Sequence, residues 1–116
     1  MITGAHFMIY STNPETDRIF FRDILKLPNV DTGDGWLIFG LPLAEIAVHP
    51  DDLGDKQELY FMCDDIDDFV QQMSRQMIKF SPIQSQSWGE LIYITLPGGG
   101  HLGIYEPRHE HPQSTK

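Results

Sequence analysis

The chain has 116 residues, of which 41% are hydrophobic, a length and composition typical of one soluble globular domain. Its 17 acidic and 8 basic residues give a formal net charge of −9, which repels nucleic acids and anionic membranes. No apolar run approaches the roughly 20 residues that a membrane-spanning helix requires. There is no visible signal peptide, and a single cysteine, Cys63, cannot form an internal disulfide. These features predict a cytoplasmic protein with no nucleic-acid or membrane partner.

The first half of the chain has the pattern of a strand, a helix and two short strands. The run Ile2–Tyr10 is rich in β-forming residues and predicts the first strand. Asn13 is placed to cap a helix that begins at Pro14, carries an apolar stripe and ends before Pro28. A loop over 29–35, rich in Asp and Gly, follows the helix. The predicted strands after it are 36–39 and 44–49.

The second half repeats this order after a polar linker at 50–56. Residues 58–62 predict a strand, and Asp64 and Asp65 precede a helix with an apolar stripe from Ile66 to Met77. The polar stretch 81–87 is interpreted as a connection. Two final strands, 91–94 and 102–105, are joined by a glycine-rich turn at 97–100.

The repeated order indicates an internal duplication, and neither half is large enough to bury its own sheet face. The two halves are therefore expected to share a sheet or a cup. Alternation along the strands gives each one an aliphatic face and a face that mixes aromatic and ionisable residues. The mixed face is interpreted as the wall of a ligand cleft, and a shared core or a dimer interface is an equally good explanation of its aromatics. The side chains predicted to contact a substrate are Trp36, Tyr60, Met62, Trp88 and Tyr105.

Three segments resemble the vicinal oxygen chelate superfamily, which includes glyoxalase I, bleomycin-resistance proteins and extradiol dioxygenases. Residues 19–28 (IFFRDILKLP) resemble its first-helix signature, 61–67 (FMCDDID) its second strand-to-helix corner, and 97–107 (PGGGHLGIYEP) its closing hairpin. They occur in order and at the right spacing. The chain departs from the family pattern at Lys26, where a glycine is usual.

The resemblance implies an α+β fold of two tandem βαβββ modules whose mixed sheets curve into a cup. It places a single domain at 1–107, with module one at 1–50 and module two at 57–107, followed by a polar C-terminal tail at 108–116. It also implies a small-molecule ligand and a homodimer.

The resemblance further implies a site for a divalent metal ion. The four family ligand positions correspond to His6, Glu45, Glu58 and Gly103, of which the first three have side chains that can ligate a metal. A His-Glu-Glu set suits Mn²⁺, Ni²⁺, Zn²⁺ or Fe²⁺. Glu45 and Glu58 are also the implied catalytic carboxylates, since a carboxylate beside the metal would move the proton. Gly103 stands where the family usually has a glutamate, so one member of the usual glyoxalase acid-base pair is missing.

Two hypotheses about function follow. The first is metal-dependent lyase, isomerase or dioxygenase-type chemistry on a substrate with neighbouring oxygens. The second is a metal-free module that binds or sequesters a small molecule, as bleomycin-resistance proteins do. Gly103 is the main argument for the second hypothesis.

Overall fold

The structure is a computed structural model that describes residues 5–110 and 112. The first half contains helix α1 (Pro14–Ile19), which continues as a π-helical turn (Phe20–Ile24), and strands β1 (Asn29–Asp31) and β2 (Leu37–Phe39). The second half contains β3 (Tyr60–Met62), α2 (Ile66–Arg75), β4 (Gln84–Gln86), β5 (Gly89–Thr95) and β6 (His101–Pro107). Within the described ranges, no helix is long and apolar enough to cross a membrane.

The second half forms a four-stranded mixed sheet in the order β3-β6-β5-β4. β3 runs parallel to β6 because α2 carries the chain back across the sheet, and the tight turn at 97–100 makes β5 and β6 antiparallel. The predicted strands, helix and turn of this half are confirmed. The interpretation of 81–87 as a connection is wrong in part, because Gln84–Gln86 pair with β5 as a short outer strand. Its polar, exposed side chains conceal that pairing from a search for apolar alternation.

One face of this sheet is covered by both helices, and the hydrophobic core lies between them. Phe20 and Phe21 from the first half meet Ile66 and Met73 of α2 above the sheet. Burying a side chain of this size contributes about 1.5–3 kcal/mol, so the first half supplies a substantial part of the core. The sheet residues in the same core are Ile92, Ile94, Leu102 and Ile104, with Leu96 beside them.

A buried carboxylate fastens α1 to the turn between β5 and β6. Asp17 is 4% exposed, and its Oδ1 accepts a hydrogen bond of 2.7 Å from the backbone N–H of Gly98. A Cβ at Gly98 would lie 2.5 Å from the Asp17 carboxylate, so this approach requires glycine. The hydroxyl of Thr12 donates a second hydrogen bond to the Gly98 carbonyl, at 3.3 Å. These contacts join the two halves into one folding unit.

The first half departs from its predicted module. In the described part of the predicted first strand, residues 5–10, no strand forms, and none forms over 44–49. Asn29–Asp31, predicted as part of a loop, instead pairs with β2. The physical reason is the position of the first half's helical segment: Phe21, in the π-helical turn that follows α1, packs on Phe61 at 6.1 Å between ring centroids, over the second half's sheet. A two-stranded ribbon without a helix of its own has little core to support additional strands.

The start of the predicted tail is attached to the domain. Arg108 follows β6 directly and forms an ion pair of 2.6 Å with Glu90, and its guanidinium also donates to the Gln86 carbonyl. The predicted tail extends to residue 116, and 111 and 113–116 of it lie outside the described residues.

Candidate ligand-binding site

An aromatic cluster lies on the sheet face opposite the helices. Its rings touch in sequence: Tyr93 to Tyr60 at 6.3 Å between centroids, Tyr60 to Tyr105 at 6.0 Å, and Tyr105 to Trp88 at 5.6 Å. Strand alternation produces this arrangement, because the neighbouring residues Phe61 and Ile104 point into the core. Trp88 is 46% and Tyr93 is 36% exposed, so part of the aromatic surface is open to solvent. Three of the predicted substrate-contacting residues, Tyr60, Trp88 and Tyr105, therefore adjoin one another.

Gly103 permits the packing of Tyr60. The two residues are direct partners in the parallel β3–β6 ladder, and a Cβ at Gly103 would lie 2.1 Å from Cδ1 of the Tyr60 ring. Real carbon atoms do not approach so closely, so any side chain at position 103 would displace the ring. The tyrosine ring thus lies over the position at which the resemblance implies a metal-ligating glutamate.

Hydrogen bonds fix the hydroxyl of Tyr60. It donates to Oε2 of Glu58 at 2.6 Å and lies 3.3 Å from the hydroxyl of Tyr93. The bond to Tyr60 is the largest influence on Glu58 and, with the ammonium of Lys56 at 3.6 Å, holds the pKa of that carboxyl below its usual value. The same bond, joined by the contact with Tyr93 and by burial, raises the pKa of Tyr60. Glu58 is therefore a carboxylate whose oxygens already have partners.

A cleft of about 610 Å³ lies at the carboxyl ends of the parallel strands β3 and β6. Met62 and Asp64 line it after β3, and Glu106 and His109 line it after β6. Met62 pairs in register with Tyr105, so the cleft adjoins the aromatic cluster. Glu106 also accepts a hydrogen bond from the N–H of Ile66 at 2.9 Å, which satisfies a donor at the start of α2.

Glu45 completes the wall of this cleft from the first half. Both of its oxygens lie 2.8 Å from Nε2 of His109, and Tyr105 donates a longer hydrogen bond of 3.4 Å to Oε1. Burial, with the charge of Glu45 and this bond, raises the pKa of Tyr105. Within residues 40–58, all of which are described, Glu45 is the one side chain that is not exposed. Glu45 therefore holds its part of this segment against the cleft.

The three implied metal ligands do not come together in the single chain. Glu45 contacts Tyr105 and His109, Glu58 contacts Tyr60 and Lys56, and His6 is exposed. In the described part of the chain, no group of three His, Cys, Asp or Glu side chains is arranged to hold a metal ion. These residues do not fit a shared metal site in this arrangement, so the metal and the catalytic carboxylates stay predictions.

Trp36, also predicted to contact a substrate, lies elsewhere. It occupies a turn before β2, where its N–H donates to the Gly33 carbonyl, and the guanidinium of Arg18 lies 4.9 Å from its ring centroid. This cation–π contact accounts for its position at the surface.

Sequence reasoning missed several residues at the site. Tyr93 shares the face of the cluster because it pairs with Gly103, a relation that only the strand register reveals. His109 was assigned to a polar tail, although it lines the cleft and contacts Glu45. Asp64 had been interpreted only as part of a helix cap. Alternation along residues 91–94 could have placed Tyr93 on one face of its strand, but not beside Tyr60; no local signal places His109 in the cleft.

Comparisons with solved structures show which proteins have a similar fold. TnmS3, an antibiotic-binding protein from Streptomyces sp. CB03234, aligns with a TM-score of 0.68 at 17% identity, over 92% of this chain and 99% of its own. A lactoylglutathione lyase from Agrobacterium tumefaciens aligns with a TM-score of 0.59 at 17% identity, over 84% and 88%. The virulence protein STM3117 from Salmonella typhimurium aligns with a TM-score of 0.53 at 22% identity, over 92% and 99%.

No family model and no curated protein sequence matches the chain. The similarity is thus one of architecture, extending over almost the whole length of the proteins compared. One of the proteins compared is described as antibiotic-binding and another as a lyase. The chain has an α+β glyoxalase-like fold, as the resemblance of its three segments predicts.

Proposed function

We propose that the protein binds a planar, largely apolar small molecule on the aromatic cluster and in the adjoining cleft, without a metal ion. The observation that carries the proposal is the Tyr60 ring packed on Gly103. An aromatic surface occupies the place where a metal-dependent relative would present a ligand. A partly exposed set of connected rings is a surface on which a planar ligand can stack.

The acidic lining of the cleft disfavours a negatively charged ligand. Its walls carry the carboxylates of Glu45, Asp64 and Glu106, in a chain whose formal net charge is −9. An acidic ligand would be repelled both at close range and over the whole surface. The preferred ligand therefore carries no acidic group, and its apolar rings face Tyr105 and Trp88.

The similarity to TnmS3 supports a binding role, since that protein is described as antibiotic-binding. The similarity to a lactoylglutathione lyase keeps a metal-dependent reaction as the second candidate. The two candidate functions predict different effects of a metal chelator. Metal-free ligand binding is unaffected by it, whereas a metal-dependent activity is lost.

The test uses Trp88 as a fluorescent reporter. In the Trp36→Phe variant Trp88 is the one remaining tryptophan of the chain, and it lies in the cluster. We expect a neutral phenazine and a neutral anthraquinone to quench its emission saturably, equally with and without EDTA. The corresponding carboxylic acids should bind at least about tenfold more weakly, a difference of about 1.4 kcal/mol.

Two variants test whether the ligand binds at the aromatic cluster. Tyr105→Leu in the same background should weaken binding by about tenfold or more, because one stacking ring is lost. The matched control is Val30→Ala, which alters an exposed apolar side chain on β1 and should leave binding unchanged. Absence of saturable quenching by either compound would overturn the proposal. Binding that disappears with EDTA and returns with Mn²⁺, Ni²⁺, Zn²⁺ or Fe²⁺ would favour the metal-dependent candidate.

A further inference from the structure

A second, smaller cleft lies on the helical side of the sheet, where both helical segments end. Its volume is about 190 Å³. Ile24 and Lys26 line it from the end of the π-helical turn, and the other wall is formed by residues at the end of α2, which are Gln72, Met73, Arg75 and Gln76. The aromatic cluster lies on the opposite face of the sheet, so this smaller cleft shares no residue with the candidate ligand-binding site.

The smaller cleft has the opposite charge from the larger one. Lys26 and Arg75 are two of the chain's 8 basic residues, and none of the described carboxylates lines the cleft with them. The larger cleft is instead lined by Glu45, Asp64 and Glu106. A cleft whose lining charges have one sign concentrates the electrostatic field inside it. The smaller cleft is therefore a place where this acidic chain attracts an anion.

The polar groups of the smaller cleft are available to a ligand. The ion pairs between described residues are formed by other cations, and neither Lys26 nor Arg75 takes part in one. Gln72 donates to Asp68 at 2.8 Å through one hydrogen of its amide group, which has a second. Gln76 adds another carboxamide. A guanidinium, an ammonium and amide N–H groups are the donors that bind oxyanions in proteins.

The backbone of Lys26 indicates that its side chain has a role in this cleft. Its φ of +57° is a left-handed conformation that glycine adopts without a steric penalty. Attraction of a cation to a helix end accounts for Arg75 in the last turn of α2, but it does not require a left-handed lysine. Such strained residues are concentrated at ligand clamps and active sites. Met77 is left-handed as well, so it is the strain together with the position in the cleft that distinguishes Lys26.

The size of the smaller cleft limits what it can hold. Pockets for drug-sized ligands start at roughly 300 Å³, so this cleft suits a small anion or the anionic group of a larger molecule. We propose that it binds a phosphate group, either as free phosphate or as a small phosphomonoester. Two cations favour a dianion over a carboxylate with a single charge. This site does not depend on the proposed function, because the two sites lie on opposite faces of the sheet.

An NMR titration of the full, ¹⁵N-labelled chain tests the proposal. Sodium phosphate is added at about pH 8, where the phosphate group carries close to two negative charges, with the ionic strength held constant by sodium chloride. We expect the amide signals of Lys26, Arg75 and Gln76 to shift saturably, with a dissociation constant of about 10 mM or less, and that of Trp88 to stay in place. Glycerol 3-phosphate distinguishes the two sources: tighter binding than that of phosphate identifies a phosphomonoester, and equal or weaker binding identifies free phosphate.

Variants test whether the two cations hold the anion. Arg75→Gln and Lys26→Gln should each raise the dissociation constant at least about tenfold, because each removes a charged donor. Lys79→Gln is the matched control: it removes the same charge from an exposed lysine outside the cleft and should change the constant by less than about twofold. Lys26→Gly should lose binding as Lys26→Gln does, in a protein that is at least as stable as the unaltered chain.

Two results would overturn the proposal. The first is the absence of saturable shifts at the cleft with both phosphate and glycerol 3-phosphate. The second is an equal loss of binding in Lys79→Gln and Arg75→Gln, since the anion would then respond to the total charge of the chain and not to this cleft.

Discussion

Tyr60 links the packing of the sheet to the electrostatics of its open face. Its ring occupies the space above Gly103, and its hydroxyl donates to Glu58 and contacts Tyr93. The bond to Glu58 favours the ionised carboxylate and the protonated phenol together, which is why the pKa values of the two groups shift in opposite directions. A single hydrogen bond thus shifts the pKa values of both groups.

Removing the hydroxyl of Tyr60 tests whether its hydrogen bond lowers the pKa of Glu58. In Tyr60→Phe we expect the pKa of Glu58 to rise, because the largest influence lowering it is lost. A depressed carboxyl pKa stabilises the fold above the unfolded-state pKa of about 4.3, and this stabilisation is lost as pH falls through the folded-state pKa. The variant should therefore lose more stability at pH 7 than at pH 3.

Carbon-detected NMR titration of the Glu58 carboxyl measures this shift directly. Lys56→Ala is the comparison, since the charge of Lys56 influences Glu58 less than the bond to Tyr60 does. An equal or larger rise in Lys56→Ala would contradict the assignment of the main cause to Tyr60.

Cys63 should be an unreactive thiol in the folded protein. It is partly buried beside the core, and desolvation raises its pKa to about 11. At pH 8 about 0.1% of such a thiol is ionised, against roughly a quarter of an unperturbed cysteine with a pKa of about 8.5. Alkylation by iodoacetamide should be about two orders of magnitude slower than in denaturant, and should accelerate about tenfold per pH unit towards pH 11.

The chain has one cysteine, so mass spectrometry of the whole protein reports this rate without ambiguity. Equal rates for the folded and denatured protein would show that the thiol is not desolvated.

At the scale of the elements, the β3–β6 pair depends on glycine at position 103. Gly103→Ala should destabilise the protein by about 1–3 kcal/mol, because the added carbon overlaps the Tyr60 ring in a buried ladder. Gly100→Ala is the matched control: nothing lies within 4 Å of the carbon it would add, so its effect should be within about 0.5 kcal/mol. Urea denaturation measures both values.

A double variant shows whether the Tyr60 ring causes the loss of stability in Gly103→Ala. In Tyr60→Ala the ring is absent, so adding Gly103→Ala should cost much less than it does in the unaltered protein. An unchanged cost would mean that the penalty comes from the backbone at position 103 rather than from the ring.

The end of the first helix carries a strained residue. Lys26 has a φ of +57°, a left-handed conformation that glycine adopts at helix ends without a steric penalty. Lys26→Gly should therefore stabilise the protein by about 0.5–1 kcal/mol. Lys79→Gly, at a position without positive φ, should instead destabilise it, because glycine increases the entropy of the unfolded chain. A loss of stability in Lys26→Gly as large as that in Lys79→Gly would show that the left-handed conformation of Lys26 is not strained.

The elements also show how much the sequence alone could predict. Residues 58–62, 91–94 and 102–105 alternate clearly and meet a helix of their own half, so local pattern and tertiary packing agree. Residues 44–49 alternate just as clearly, yet no strand forms there, because strand formation requires a neighbouring edge and a covered face. The pattern of a strand describes its side chains, whereas the partner that completes it lies outside the local sequence.

The candidate site, too, could be predicted only in part from local sequence. The alternation of Tyr60, Met62 and Tyr105 was sufficient to place them on a common face. His109 and Glu45 are 64 residues apart, and only the folded chain brings them to 2.8 Å. At position 103 the sequence was sufficient to show that the side chain of a metal-ligating glutamate is missing. Only the strand register shows that the ring of Tyr60 lies over this glycine.

At the scale of the whole molecule, the two halves share one core instead of forming two. Phe20 and Phe21 lie in the core of the second half's sheet, and the carboxylate of Asp17 is buried against the turn at Gly98. The second half contributes the sheet and α2, but two of the four buried helical side chains in the core, Phe20 and Phe21, come from the first half. A unit of roughly 50 residues with an uncovered core is below the size that usually folds alone.

A fragment of residues 57–107 should therefore be unfolded, with poorly dispersed amide signals in its NMR spectrum. Adding a synthetic peptide of residues 11–28 should restore folding, since it supplies both phenylalanines and the carboxylate that binds the turn. The same peptide with Asp17→Ala should restore folding less well, because the N–H of Gly98 would remain without its buried partner. A peptide with Asp23→Ala is the matched control, since Asp23 is exposed and forms its ion pair with Arg22, its neighbour in the same peptide. Cooperative folding of the fragment alone would instead mean that the halves are independent modules, and the position of α1 would then reflect docking rather than a shared core.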